Sequence, residues 1–390
     1  MQADPILFAV FLIFTGAAVL AALALFARQS LLIAYIALGG LCGPAGFNLV
    51  AEPRVIEQIG HVGIIFLLYL LGLNLHPQKL LTMLREATRV TAISSAAFAA
   101  VAAIIVWGFG YTFAEGIVIG AVMMFSSTII GLKLLPTTAL HQRHMGEVMI
   151  SVLLLQDILA IFILLLLQGA GQDGGTDWLA LGQRLLALPL LFGLALLLER
   201  KLLMPLIARF DVIQEYVFLT AVGWCLGMAQ LAHALGLSYE IGAFVAGVAL
   251  ATSIIATFIA ESLKPLRDFF VIMFFFSVGA SFELGALGSV LLPALVLAAA
   301  MLWVKPRVFT RLLLAGGEKP RLAYEIGVRL GQVSEFSLLI AVLATQAGVI
   351  GTRASSLIQA ATLLTFIASS YWVVRRFPTP MAVNDRLRRD

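Results

Sequence analysis

A carboxylate, an amide, a run of hydroxyls and a lysine stand out in a chain that is otherwise mostly hydrocarbon. Asp157 lies in Leu153-Leu154-Leu155-Gln156-Asp157-Ile158-Leu159-Ala160, and no other charge occurs between Glu147 and Asp173. A carboxylate at the centre of a bilayer costs about 2.5–3.5 kcal/mol on insertion scales, so its presence there points to function. Such a group can hold a proton or a monovalent cation, but not both well. The competing reading is an aspartate that only pins helices through hydrogen bonds. Gln156 is its neighbour. Its amide oxygen suits the oxygen shell of a K+ or Na+ ion, or an interhelical hydrogen bond; beside Asp157 we take the first. Ser126, Ser127 and Thr128 either bend a helix by bonding the preceding turn or mark a place where it unwinds. Unwinding would turn free carbonyls and positive helix N-termini toward an ion. Glu335 is a second mid-span acid, with Arg329 six residues before it. It reads either as a second proton site or as a countercharge for a broken helix. Lys305 follows the apolar run 286–304. With Pro306 and Arg307 behind it, it reads as a helix-end lysine snorkelling to the surface. If the helix runs on to Leu314, it is instead buried and within reach of Asp157.

Other chemistries lack their parts. The five histidines are scattered and give no metal-ligand spacing. There is no HExxH, CxxC, GxSxG, Walker A or GxGxxG pattern. A nucleotide-driven pump, a zinc hydrolase and an intramembrane enzyme therefore have no engine here, and no catalytic residue or cofactor is expected. A potassium channel would need a TVGYG-like filter, which is absent. Cys42 and Cys225 sit in apolar runs and read as small core residues.

The elements that carry these residues must be membrane helices. The chain has 390 residues, of which 61% are hydrophobic and 12% charged, against about 45–50% and about 25% in a soluble domain. Runs of roughly 20 apolar residues span a bilayer. Thirteen are found, at about 6–26, 30–44, 57–73, 88–109, 114–135, 146–168, 179–198, 212–233, 239–257, 267–281, 286–309, 322–347 and 353–374. The fold class is thus all-α and polytopic.

Basic residues orient it. Fifteen Lys and Arg fall in loops after odd-numbered spans, and only Arg54 and Arg353 fall in loops after even-numbered ones. Cytoplasmic loops carry the Lys/Arg excess, which puts the N-terminus outside and the C-terminus inside. The net charge of +4 is a topology signal, not a nucleic-acid-binding one. The membrane domain covers 1–374, and 375–390 is a basic cytoplasmic tail. Within it, 1–178 forms one six-helix half, 179–211 a linker helix, and 212–374 a second half of opposite topology. That is the inverted-repeat plan of many secondary transporters. Its sequence trace is a polar break in the fifth span of each half, Phe125-Ser126-Ser127-Thr128 and Gly331-Gln332-Val333-Ser334-Glu335.

Several segments resemble Kef-type potassium–proton antiporters, of monovalent cation:proton antiporter family 2. They include Gly60-His61-Val62-Gly63-Ile64-Ile65-Phe66-Leu67-Leu68-Tyr69-Leu70-Leu71-Gly72-Leu73, Leu41-Cys42-Gly43-Pro44-Ala45-Gly46 and Leu155-Gln156-Asp157-Ile158. Pro265-Leu266-Arg267-Asp268-Phe269-Phe270, Phe274-Phe275-Phe276-Ser277-Val278-Gly279, Lys305 and Gly331-Gln332-Val333-Ser334-Glu335-Phe336 follow in family order. The resemblance implies the sodium–proton antiporter fold, a homodimer in a bacterial inner membrane, and two crossed, unwound helices beside the aspartate. It implies Asp157 as cation and proton carrier, Lys305 as its ion-pair partner, and one-for-one, electroneutral exchange of K+ for H+. Sodium exchange by the same fold is the alternative, with a cation channel behind it. Asn74 and Pro306 depart from the family pattern. Kef-type proteins also carry a cytoplasmic nucleotide- and glutathione-sensing domain, which is expected to be absent from this chain.

Overall fold

The computed structural model describes residues 5–27, 29–44, 46–50, 53–73, 77–128, 144–169, 178–210, 212–253, 255–282 and 287–377. Part of the fifth expected span (129–135), Arg28, Asn74, Lys133, Arg143 and most of the basic tail lie outside these residues. The described chain is helical. α1 is Pro5–Phe26, α2 Leu31–Cys42, α3 Pro53–Leu73, α4 Pro77–Gly108, α5 Phe113–Met123 and α6 His144–Gly169. α7, Trp178–Leu198, passes through a π turn, Glu199–Leu203, into the short α8, Met204–Phe210. There follow α9 Gln214–Ala234, α10 Tyr239–Leu250, α11 Ala256–Ala280, α12 Leu287–Ala315, α13 Pro320–Arg329, α14 Glu335–Gln346 and α15 Thr352–Arg376. Among the described residues six stretches are long and apolar enough to cross a membrane: Leu7–Phe26, Ala87–Gly108, His144–Leu164, Gln214–Ala234, Gly288–Ala315 and Thr352–Arg376. Five shorter apolar helices lie among them. Large side chains such as Leu7, Leu186 and Leu292 are exposed on the outside, as on a surface that faces lipid. The protein is a multi-pass membrane protein.

Local chemistry sets the helix ends. Thr112 and Glu115 form a reciprocal capping box at the start of α5, which satisfies two orphan amides. Ser30, Ser238 and Ser334 cap α2, α10 and α14. Several boundaries move from the sequence reading. α4 begins at Pro77, not near 88. α11 begins at Ala256, not near 267, and runs through Pro265. α12 continues through Pro306 to Ala315, beyond the expected end near 309, so of the two readings of Lys305 the continuing helix is the one found. Arg307 Nη1 donates to the Trp303 carbonyl at 2.9 Å and Thr310 Oγ1 to the Pro306 carbonyl at 2.6 Å. Side chains thus supply bonds around the proline, which a membrane helix tolerates for that reason.

The buried apolar residues form two main bodies. One core draws on α4, α5, α6, α12, α13, α14 and α15, with Phe98, Met149, Met301 and Phe309 inside it. A second draws on α3 and α7 to α11, around Tyr69, Cys225 and Met228. α1 and α2 join this second body through α11. The seam between the bodies is a third cluster, with Ile36, Leu68 and Phe275 on one side and Phe336, Leu339 and Phe366 on the other. Each body mixes elements from 1–178 with elements from 212–374.

In the second body glycines bring helices to backbone contact. A Cβ on Gly39 of α2 would strike the Phe276 carbonyl of α11, and one on Gly247 of α10 the Tyr69 carbonyl of α3. Lipid gives helices no hydrophobic drive to associate, so such close approach supplies the attraction. Gly40, one residue on, meets its nearest neighbour at an ordinary 3.7 Å. Gly39→Val should therefore destabilise the protein in detergent by about 1–3 kcal/mol, the usual cost of overpacking. Gly40→Ala should melt with the wild type. Equal melting of all three would show that α2 and α11 do not pack as described.

Candidate ion-binding site

Two helices lose their regular hydrogen bonding at facing places. The fifth span unwinds over Phe125 to Ser127, and the twelfth over Leu330 to Ser334, between α13 and α14. Unwound backbone inside a membrane must find partners, since no water competes for it. Here the partners are side chains. Gln156 of α6 accepts from the Ser126 amide at 2.9 Å and donates to the Met124 carbonyl at 3.2 Å. One side-chain amide thus does the work of a missing peptide unit. Ser126 Oγ donates across to the Leu330 carbonyl at 2.8 Å. Gln332 Nε2 returns the link to the Ser127 carbonyl at 3.4 Å. Ser337 Oγ donates to the Val122 carbonyl at 2.5 Å.

α15 stabilises the second break from behind. The Val333 amide donates to Thr365 Oγ1 at 3.1 Å, and Ser369 Oγ to Gln332 Oε1 at 3.0 Å. Lys305 of α12 comes from the other side and is 0% exposed. Its Nζ donates to the carbonyls of Phe125 at 2.5 Å, Gln332 at 3.1 Å and Met123 at 3.3 Å. An ammonium has three donors, and three carbonyls from the two breaks receive them. The Phe98 ring lies 5.2 Å from the same nitrogen.

Asp157 follows Gln156 on α6, 4% exposed. Its Oδ2 is buried with no hydrogen-bond partner among the described residues. Its charge interacts with that of Glu335, the first residue of α14, immediately after the Ser334 cap. A carboxylate there meets the positive end of the helix dipole. Thr128 Oγ1 also has no partner among the described residues.

The structure therefore brings Gln156, Ser126, Ser127 and Lys305 together around the crossed breaks, with Asp157 and Glu335 alongside. It does not pair Lys305 with Asp157: among the described residues no ion pair links them. The lysine is buried as the longer helix requires, but the freed carbonyls take all of its donors. Arg329 binds Glu325 through Nε and Nη2 at 3.0 and 2.8 Å. The sequence reading missed Gln332, Ser337, Thr365 and Ser369 as members of the site. Polar residues recurring four apart in α15, at 365 and 369, were the available signal for two of them.

The donor set is chemically narrow. It offers carboxylates, amide and hydroxyl oxygens, and backbone carbonyls. No group of three His, Cys, Asp or Glu suited to a metal ion occurs among the described residues. Hard oxygen ligands with little total charge suit an alkali cation or a proton.

Comparison with known proteins agrees with this geometry. Residues 10–375 match the family described as sodium/hydrogen exchanger, transmembrane. The chain is 27% identical over 368 residues to the iron transporter MagA of Paramagnetospirillum magneticum, covering 93% of this chain and 84% of that protein. It is 28% identical to K(+) efflux antiporters 6 and 5 of Arabidopsis thaliana, covering 80% and 88% of this chain. It spans only 54% and 63% of the length of those two plant relatives. The sodium proton antiporter MjNhaP1 of Methanocaldococcus jannaschii, at 16% identity, shares the fold with a TM-score of 0.70 over 93% of this chain and 94% of that one.

Proposed function

The chain belongs to the sodium/hydrogen exchanger family, and from that premise we propose that it exchanges K+ for H+ across a bacterial inner membrane. The observation that carries the reading is the unpartnered, buried Oδ2 of Asp157 beside two crossed helix breaks. Asp157 is the carrier in this proposal. It takes a proton or a cation in turn, and either load cancels the charge that must cross the barrier. The empty carboxylate is penalised by desolvation, and that penalty suppresses leak and couples the two fluxes. Gln156 and the oxygens of Ser126, Ser127 and Thr128 complete the cation's shell. Glu335 balances the N-terminus of α14 or serves as a second proton site. Lys305 holds the breaks in this conformation and reaches Asp157 in another.

The body containing α4 to α6 and α12 to α15 moves, and the glycine-packed body is the fixed, dimer-forming one. The N-terminus is outside and the C-terminus inside. K+ is favoured over Na+ by the single carboxylate of the Gln156-Asp157 pair and by the names of the plant relatives. Iron, named for the Paramagnetospirillum magneticum relative, would want a softer or more acidic ligand set.

Purified protein in liposomes with an internal pH dye tests this directly. A potassium gradient should drive a pH change larger than sodium or lithium gradients do. No cation-driven pH change would overturn the exchange reading, and a sodium response alone would reassign the cargo. Gln156→Asp adds a second titratable carboxylate and so should make exchange depend on a clamped membrane potential. An active variant with no such dependence would remove Gln156 from the determinants of electroneutrality.

A further inference from the structure

One end of the α4–α6, α12–α15 body carries a concentration of uncompensated positive charge. α12 ends there, α13 begins there, and α15 returns to it, since Tyr324 and Phe377 rings lie 6.1 Å apart. Arg307, Arg311, Lys319, Arg321, Arg375 and Arg376 are all exposed at this end. None forms an ion pair with a described residue. In the other body Lys264 is tied to Glu261 at 2.5 Å and Arg267 to Asp268 at 2.8 Å, while Arg200, Lys201 and Arg209 are exposed without an ion pair among the described residues, so charge alone does not single out a lipid site.

Three of the arginines are also pre-positioned. Arg307 Cζ lies 4.1 Å from the Trp303 ring centre, Arg375 Cζ 4.3 Å from Tyr371, and Arg376 Cζ 6.0 Å from Tyr324. Stacking on a ring uses the face of a guanidinium and leaves edge N–H donors for a phosphate fork; in Arg307 Nη1 is also given to the Trp303 carbonyl, which leaves Nε and Nη2. The rings are themselves exposed: Trp303 60%, Tyr371 47%. Each pair therefore presents an apolar surface beside a phosphate-binding edge. A soluble anion would use only the second of these, whereas a phospholipid uses both.

We propose that this end of the body binds anionic phospholipid headgroups, with Arg307, Arg375 and Arg376 as the phosphate-gripping residues and their ring partners against the acyl-chain boundary. The proposal does not depend on which ion is transported. Native mass spectrometry of delipidated protein titrated with phosphatidylglycerol or phosphatidylcholine tests it. Wild type should retain phosphatidylglycerol in preference. Each arginine near the surface contributes about 1 kcal/mol to attracting anionic lipid, or about fivefold. Arg307→Gln, Arg375→Gln and Arg376→Gln should each cost about that factor, and the triple variant should lose the preference. Unchanged melting of the Arg375→Gln, Arg376→Gln double variant in detergent serves as the folding control, because Arg307 also bonds the Trp303 carbonyl; Arg311→Gln and Arg321→Gln, away from the rings, should cost less. Equal retention of the two lipids by wild type would overturn the proposal, as would full phosphatidylglycerol retention by the triple variant. Displacement of phosphatidylglycerol by millimolar inorganic phosphate would overturn the assignment to lipid.

Discussion

Asp157→Asn is expected to reduce cation-driven proton flux to that of empty liposomes while leaving yield and melting temperature at or above wild type. The two halves of this expectation have one cause. The asparagine amide has nearly the carboxylate's shape but cannot ionise, so it can neither release a proton nor bind a cation by charge. The wild-type carboxylate is 4% exposed with a buried oxygen that no described residue satisfies, and an isolated charge in that setting costs stability. Function and stability should thus move in opposite directions, as they do where a site holds strain for its cargo. Retained exchange would show that Glu335 or another group carries the proton. A large loss of stability would mean that Asp157 is a structural pin.

Lys305→Met is expected to be the most damaging single change to stability, at about 2–5 kcal/mol. The estimate comes from three carbonyls losing a charged donor, where each such bond contributes about 1.5–3 kcal/mol in soluble proteins and less in membranes. Methionine keeps the length of the side chain, so the loss reports the ammonium and not a cavity. Because Lys305 donates to Met123, Phe125 and Gln332 and not to Asp157, its deficit should add to the effect of Asp157→Asn. Melting curves of the two single variants and the double variant form the cycle. A coupling beyond about 0.5 kcal/mol, the usual limit for independent sites, would place the ammonium on the carboxylate in the dominant state in solution. A loss under about 0.5 kcal/mol for Lys305→Met alone, as for ordinary surface changes, would contradict the buried clamp.

The sequence carried the spans and their breaks because both are composition effects. Hydrocarbon runs of bilayer length and polar interruptions at Ser126 and Gln332 are visible without a partner. Asp157 was legible for the same reason, as one charge in a long apolar run. What was not legible depended on pairing between distant segments. Whether the helix ended at Pro306 or ran on past it was open in the sequence, and only the Thr310 and Arg307 bonds show how the helix passes it. The fate of the Lys305 donors depended on which carbonyls the breaks exposed, and those lie 182, 180 and 27 residues away in the chain. Thr365 and Ser369 read as ordinary membrane hydroxyls until Val333 and Gln332 lie against them. Which elements join which body was equally illegible in the residues, since each body interleaves elements from both halves of the sequence.

The seam between those bodies is faced with hydrocarbon: Ile36, Leu68 and Phe275 against Phe336, Leu339 and Phe366. Interdigitated side chains settle into a few discrete packings, so in the proposed exchange the joint would click between settings. Each setting trades apolar contacts for like ones, which leaves the surfaces little reason to prefer either. The balance between the two settings would then fall to the occupant of the site.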